Sequence, residues 1–289
     1  MAIANSELIL NPNGSIYHLN LRPEDIASTI ITVGDPDRVG DVTKHFDEIT
    51  VDVHRREFKT QTGMYRGKRL TVISTGIGTD NIDIVFNELD ALANIDFDTR
   101  TIKPSFTQLS FIRIGTSGAI QSEIPLDSFL ISERAVGFDN LIHFYKDTSF
   151  LDEGYSAALM EHLVWNEKKS HPYVVMPDEK LLAKFNSEEF IKGTTVTNVG
   201  FYGPQGRKLR LDLADHRLNN LLQGFNYYGS SITNLEMETS GIYGMAKLLG
   251  HRALSLNAII ANRALGSFSE NPKQTIDQLI KKTLDLLVL

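Results

Sequence analysis

Residues 111–120 read FIRIGTSGAI, an apolar run that carries one arginine and then gives way to Gly115, Thr116, Ser117 and Gly118. The aromatic and β-branched residues predict a buried strand, and the Gly/Thr/Ser/Gly segment predicts that it ends in a polar turn exposing backbone groups. In open α/β sheets ligands gather outside the carboxyl ends of strands, which places Arg113 and Thr116 to hold an anion and a sugar-like group. An arginine that merely snorkels to solvent beside a Gly/Ser turn fits the same ten residues. The rest of the chain decides between the two.

Two earlier segments share the pattern. Ile30–Val33 is a β-branched run ending in Gly34, after which Asp35 suits a helix N-cap and Pro36 the first helical position. A helix starting at a strand end offers free N–H groups, and Arg38 adds a full charge in the first turn, a plausible phosphate cradle. A capped helix whose Arg38 pairs with Asp35 or Asp41 accounts for these residues equally well. Leu70–Thr75 then runs into Gly76, Ile77 and Gly78 and a helix with Ile82, Val85, Phe86, Leu89 and Leu92 at helical spacing. A dinucleotide site would begin this way, but Asn81 occupies the third glycine position, which argues against nicotinamide binding.

Strands are further predicted over 128–136, 191–199 and 253–260, and helices over 152–165, 178–185 and 274–287, with a hairpin through 65–68. Residues 95–108, which hold charges and Pro104 with little periodicity, read as a surface insertion. Strands alternating with helices throughout predict an α/β fold with a wound sheet, as a single domain spanning 1–289. With 289 residues, 42% of them hydrophobic, the chain can bury a substantial core. A net charge of −7 argues against a general nucleic-acid partner and leaves room for a small anion. There is no cysteine, so disulfides and thiolate chemistry are excluded. No apolar run is long enough to span a bilayer and no leader pattern opens the chain, so a cytoplasmic location with no membrane partner is expected.

Two later stretches carry chemistry. In FYGPQGRK, residues 201–208, the glycines and proline enforce turns that would present Phe201, Gln205 and Arg207 on a loop. Gln205 offers a donor and an acceptor and Arg207 a planar fork, which suits a heterocycle with adjacent carbonyl and imide groups; an ordinary polar loop tip is the plainer reading. Leu235, Glu236, Met237, Glu238 and Thr239 open a small-residue helix ending near Gly250. Acidic residues there complement the helix dipole, and a carboxylate is also a natural partner for a vicinal diol.

Taken together, GDPDRV at 34–39, HRREF at 54–58, STGIG at 74–78, RIGTSGAI at 113–120, FYGPQGR at 201–207, EMET at 236–239 and NR at 262–263 resemble the nucleoside phosphorylase-I family, and within it the uridine phosphorylases. The resemblance implies a three-layer α/β/α fold with a mixed, partly barrel-like central sheet. It implies a pentosyltransferase catalysing reversible phosphorolysis of uridine to uracil and ribose 1-phosphate, with deoxyuridine and thymidine as open alternatives. Carried over residue by residue, it assigns phosphate to Gly34, Arg38, Arg56, Arg113 and Thr116, with Arg56 inserted from a neighbouring subunit. Ribose falls to His18, reaching the 5′-hydroxyl across a dimer interface, and to Thr116, Met237 and Glu238, with Glu238 taking the 2′- and 3′-hydroxyls. Gln205 and Arg207 match the pair that distinguishes uracil, and Phe201, Gly118 and Ile260 the walls around the base. A homo-oligomer is implied, a dimer as catalytic unit or a hexamer built as a trimer of dimers. No cofactor is implied beyond phosphate as co-substrate, no metal takes part in catalysis, and a structural monovalent cation such as potassium is raised near Glu57 and Ile77. Related purine enzymes carry an aspartate after the last core strand; here IIANRALG places Arg263 there, which disfavours a purine or broad-specificity phosphorylase.

The implied chemistry is sound on general grounds. Breaking an N-glycosidic bond develops positive charge on the pentose and negative charge on the base, so a phosphate beneath the sugar and donors at the base oxygens both favour the transition state. Arg38, Arg113, Arg207 and Glu238 are the residues expected to carry it. A hydrolytic nucleosidase of the same fold and a catalytically silent nucleoside-binding protein are the competing readings.

Overall fold

The structure, a computed structural model, describes residues 2–289. In chain order the elements are β1 (Thr29–Val33), α1 (Pro36–Thr43), β2 (Glu48–Arg55), β3 (Phe58–Tyr65), β4 (Lys68–Ser74), α2 (Thr79–Asn94), β5 (Ile95–Asp96), β6 (Thr101–Ile102) and β7 (Ser110–Ala119). They continue with β8 (Phe129–Gly137), α3 (Glu153–Leu163), β9 (Tyr173–Val175), α4 (Glu179–Lys184), β10 (Phe190–Thr197), α5 (Leu218–Gly224), β11 (Asn226–Tyr227), β12 (Ser230–Glu236), α6 (Thr239–Leu248), β13 (Arg252–Asn262), β14 (Ser267–Phe268) and α7 (Pro272–Val288).

One 12-stranded mixed sheet organises the fold, ten of its strands in the order β11-β12-β10-β8-β13-β7-β1-β4-β3-β2, with β9 paired to β8 and β14 to β13 off this path. Because β12 also pairs with β7, the strands β7, β13, β8, β10 and β12 close into a ring, while β1, β4, β3 and β2 extend from it as an open arm. The sheet is therefore barrel-like on one side and open on the other. Strand β1 is buried throughout, as a central parallel strand covered on both faces must be. Its alternation assigns the two faces: Ile30 packs with α2 and α6, and Ile31 and Val33 with α1 and α7. Strand β7 follows suit, with Phe111 on the α2/α6 side and Ile112 and Ile114 on the α1/α7 side. A third cluster packs α3 and α5 against the closed ring through Leu159, Leu222, Val196 and Ile232.

Three expectations need correction. The Gly115–Gly118 segment is not a turn: β7 runs unbroken to Ala119, because Gly118 and Ala119 are paired on one side with β12 and on the other with β13. Leu235 and Glu236 do not belong to the following helix but end β12, a strand that the polar sequence SSITNLE does not announce. Residues 95–108 are not wholly irregular, since β5 and β6 form a small hairpin and Phe106 stacks on the buried His251 ring at 5.5 Å. No helix among the described residues is long and apolar enough to cross a membrane.

Candidate active site

The carboxyl ends of β1, β4, β7, β12 and β13 open into one cleft of about 690 Å³. Gly34, Arg38, Arg113, Thr116, Gly118, Phe201, Gln205, Arg207, Met237, Glu238 and Ile260 all line it. Residues separated by more than 200 positions thus meet where the strand ends of an α/β sheet place ligands.

At one end lie the arginines. Asp35 caps α1 by accepting from the Asp37 N–H at 2.9 Å, with Pro36 at the first helical position, as the residue pattern requires. Arg38 on the first turn makes no ion pair with Asp35, Asp41 or any other described residue. Burial, and then the nearby Arg113 charge, lower its pKa, so an anion between the two cations would relieve both.

Arg113 is buried and held by four groups. Its Nη2 donates to Glu238 at 2.7 Å and lies 3.0 Å from Glu236, and its Nη1 donates to Asn257 at 2.9 Å and approaches Ser255 at 3.5 Å. Burial opposes the guanidinium charge, but the two carboxylates outweigh it and hold the pKa above the usual value. Gly115 makes this possible. A Cβ there would fall within 2.6 Å of Arg113 Nη2 and closer still to Nη1 and Cζ, so the side chain lies back over its own strand only because residue 115 has none. Gly115→Ala should displace the guanidinium and weaken phosphate binding by about tenfold or more, the loss expected for a charge-assisted hydrogen bond. Calorimetric titration with phosphate checks this; unchanged affinity would contradict it.

At the centre, Glu238 sits at the start of α6 with one carboxylate oxygen on Arg113 and the other accepting from the Gly78 N–H at 2.9 Å. Burial pushes its pKa up, and Glu236 adds to that against the opposing pull of Arg113. Glu236, two residues earlier, accepts from the Glu238 and Thr239 N–H groups and from the Thr197 hydroxyl, so it caps α6 and aims Glu238 in one arrangement. Sequence alone reads Gly115 as part of a turn and Glu236 as part of a helix start, and it leaves Asn257 unremarked. The signal was present: Ser255 and Asn257 alternate with Leu254, Leu256 and Ala258, placing polar groups on one face of an otherwise apolar strand.

At the far end is the 201–207 loop. Here the expectation of a presented polar tip is half right. Phe201 is about half exposed, but Gln205 is buried, because a short 3-10 turn at Gly203–Gln205 folds it inward. Asn219 Nδ2 and Arg263 Nη1 both donate to the Gln205 carbonyl, at 3.1 and 3.0 Å. Arg207 donates to the Gln205 side-chain oxygen and to the Phe201 carbonyl, and its guanidinium stacks 3.8 Å from the Phe201 ring centroid. Burial, followed by the Arg263 charge, brings the Arg207 pKa down to about 10, the mark of a cation that an incoming anion would stabilise.

Glu57 and Ile77 also line the cleft. No group of three or more acidic or histidine side chains that could hold a metal ion gathers among the described residues. His18 and Arg56 do not reach the cleft of their own chain. They sit together around Tyr17, which packs edge-on against His18 at 4.7 Å, with the Arg55 and Arg56 guanidinium groups 5.6 and 6.0 Å from the tyrosine ring.

Residues 28–288 match the model of the phosphorylase superfamily. The chain is 29% identical to a uridine phosphorylase of Thermococcus kodakarensis over 260 residues, covering 89% of this chain and 81% of that one. It is 26% identical to a DeoD-type purine nucleoside phosphorylase of Buchnera aphidicola over 269 residues, covering 92% and 96%. Among solved structures it superposes on a Trypanosoma brucei nucleoside phosphorylase described as having uridine phosphorylase activity, with TM-score 0.87, 26% identity and coverage of 98% and 99%. The matched span runs from the residue before β1 to the end of α7 and includes every residue that lines the cleft, and the chain belongs to the phosphorylase superfamily.

Proposed function

We infer that the protein catalyses the reversible phosphorolysis of uridine to uracil and ribose 1-phosphate. The observation that carries this reading is the order of groups along one cleft: unpaired Arg38 beside Arg113, then Glu238 and Met237, then Gln205 with Arg207 stacked on Phe201. That order fits phosphate, pentose and pyrimidine. A phosphate oxygen attacks C1′ as the bond from C1′ to N1 breaks, and the electron pair leaves with uracil. Arg38, Arg113, Gly34 and Thr116 hold the nucleophile, Glu238 and Met237 hold the sugar, and Arg207 and Gln205 stabilise the charge arriving on the base oxygens. Phe201, Gly118 and Ile260 wall the ring. No side-chain nucleophile is needed.

Arg263 supports a pyrimidine over a purine. A guanidinium that donates to the backbone of the base loop cannot protonate a purine nitrogen as a carboxylic acid would. A panel of uridine, deoxyuridine, thymidine, inosine and adenosine with phosphate tests the assignment: uridine should be consumed fastest, and faster inosine cleavage would overturn it. Arg207→Ala should lower uridine turnover by about 10²-fold while phosphate affinity stays within about twofold, since only the base loses a donor. An equal fall in phosphate affinity would refute the division of labour.

The reading extends to the whole chain as one domain, 1–289, working in the cytoplasm as a homo-oligomer. Its smallest catalytic unit is a dimer in which His18 and Arg56 complete the cleft of the other copy. Their position outside their own cleft supports this arrangement.

A further inference from the structure

We propose that Glu88, on α2, is a positioning residue that sets the tautomer and aim of His18. The proposal rests on the reading above, in which His18 serves the ribose 5′-hydroxyl in the cleft of a second copy. Glu88 Oε1 lies 2.6 Å from His18 Nδ1, and the same carboxylate accepts from the His18 N–H at 3.0 Å and from the Leu19 N–H at 2.8 Å. One acidic group thereby fixes both the backbone turn and the ring. Its side chain is only 12% exposed, which strengthens those contacts, whereas that of His18 is 28% exposed and free to reach outward.

An ionised carboxylate only accepts hydrogen bonds, so the neutral imidazole must carry its proton on Nδ1 and present a bare lone pair on Nε2. A bare Nε2 accepts a hydrogen bond from an O–H donor, which is what a primary hydroxyl supplies. Tyr17, edge-on to the imidazole at 4.7 Å, limits rotation of the ring. Neither Glu88 nor His18 lines the cleft of its own chain, so Glu88 acts only through the histidine.

The test compares uridine with 5′-deoxyuridine, which lacks the hydroxyl in question. Glu88→Gln should lower kcat/KM for uridine about tenfold, the loss of a charge-assisted hydrogen bond. The same variant should change 5′-deoxyuridine turnover by less than about twofold. His18→Ala should reproduce that selectivity, and adding Glu88→Gln to it should cost nothing further for uridine. Equal losses on both substrates would mean that Glu88 only supports the fold, and an unchanged uridine rate would mean that it has no role. Either overturns the proposal. Nitrogen NMR of histidine-labelled wild-type protein in mildly alkaline buffer does not depend on any variant folding: the Nδ1–H tautomer at His18 is expected, and the Nε2–H tautomer contradicts the proposal. Should the wild-type protein itself fail to cleave uridine with phosphate, the functional reading falls first, which separates the two failures.

Discussion

Arg113→Ala should lower phosphate-dependent turnover by about 10³-fold and destabilise the fold by about 3–5 kcal/mol. Both effects come from the same burial. The side chain bridges Glu236 and Glu238 on one side and Asn257 on the other, so its removal strands two carboxylates in a buried pocket and takes away the cation that would face phosphate. Adding Glu236→Gln should restore part of the lost stability, because one stranded charge is neutralised, and none of the turnover. Chemical denaturation and single-substrate kinetics on the two variants check this. Turnover that recovers with stability would show that Arg113 only supports the fold.

Arg38→Ala separates the roles the other way. Arg38 is only partly buried and pairs with no carboxylate among the described residues, and its cation is disfavoured by burial and by Arg113. Removing it should leave stability within about 1 kcal/mol of wild type. Phosphate affinity should nevertheless fall by about 10²-fold, as expected for a charged group losing its hydrogen bonds to an anion, and turnover should nearly vanish. Thermal unfolding alongside phosphate titration reads both quantities. A variant that binds phosphate normally would remove Arg38 from the site.

The contrast between these two arginines marks where sequence reading succeeds and where it stops. GDPDR could be read locally because a cap, a first-turn proline and a first-turn arginine are properties of adjacent residues, and Asp35 and Pro36 fill those roles. The alternatives left open for Arg113 depend on distant partners, since it meets Glu238 across 125 positions and Asn257 across 144, whereas Arg38 pairs with neither of the nearby aspartates offered to it. The supposed turn at Gly115–Gly118 misled for the same reason. Glycine normally signals a break, yet here Gly115 makes room for the arginine of its own strand and Gly118 is held in ladder pairing on both sides. Strand β12 was missed because SSITNLE shows no simple alternation and draws its stability from β10 and β7. The burial of Gln205 was equally hidden, since Arg263 and Asn219 anchor its carbonyl from 58 and 14 positions away.

Phosphorus NMR of a single reaction mixture of protein, uridine and inorganic phosphate tests the central claim most directly. A new sugar-phosphate resonance should grow in step with uracil release, one for one, at the expense of inorganic phosphate. Uracil released with free ribose while the phosphate signal stays constant would contradict it, because the clustered guanidinium groups would then be serving water rather than an oxyanion.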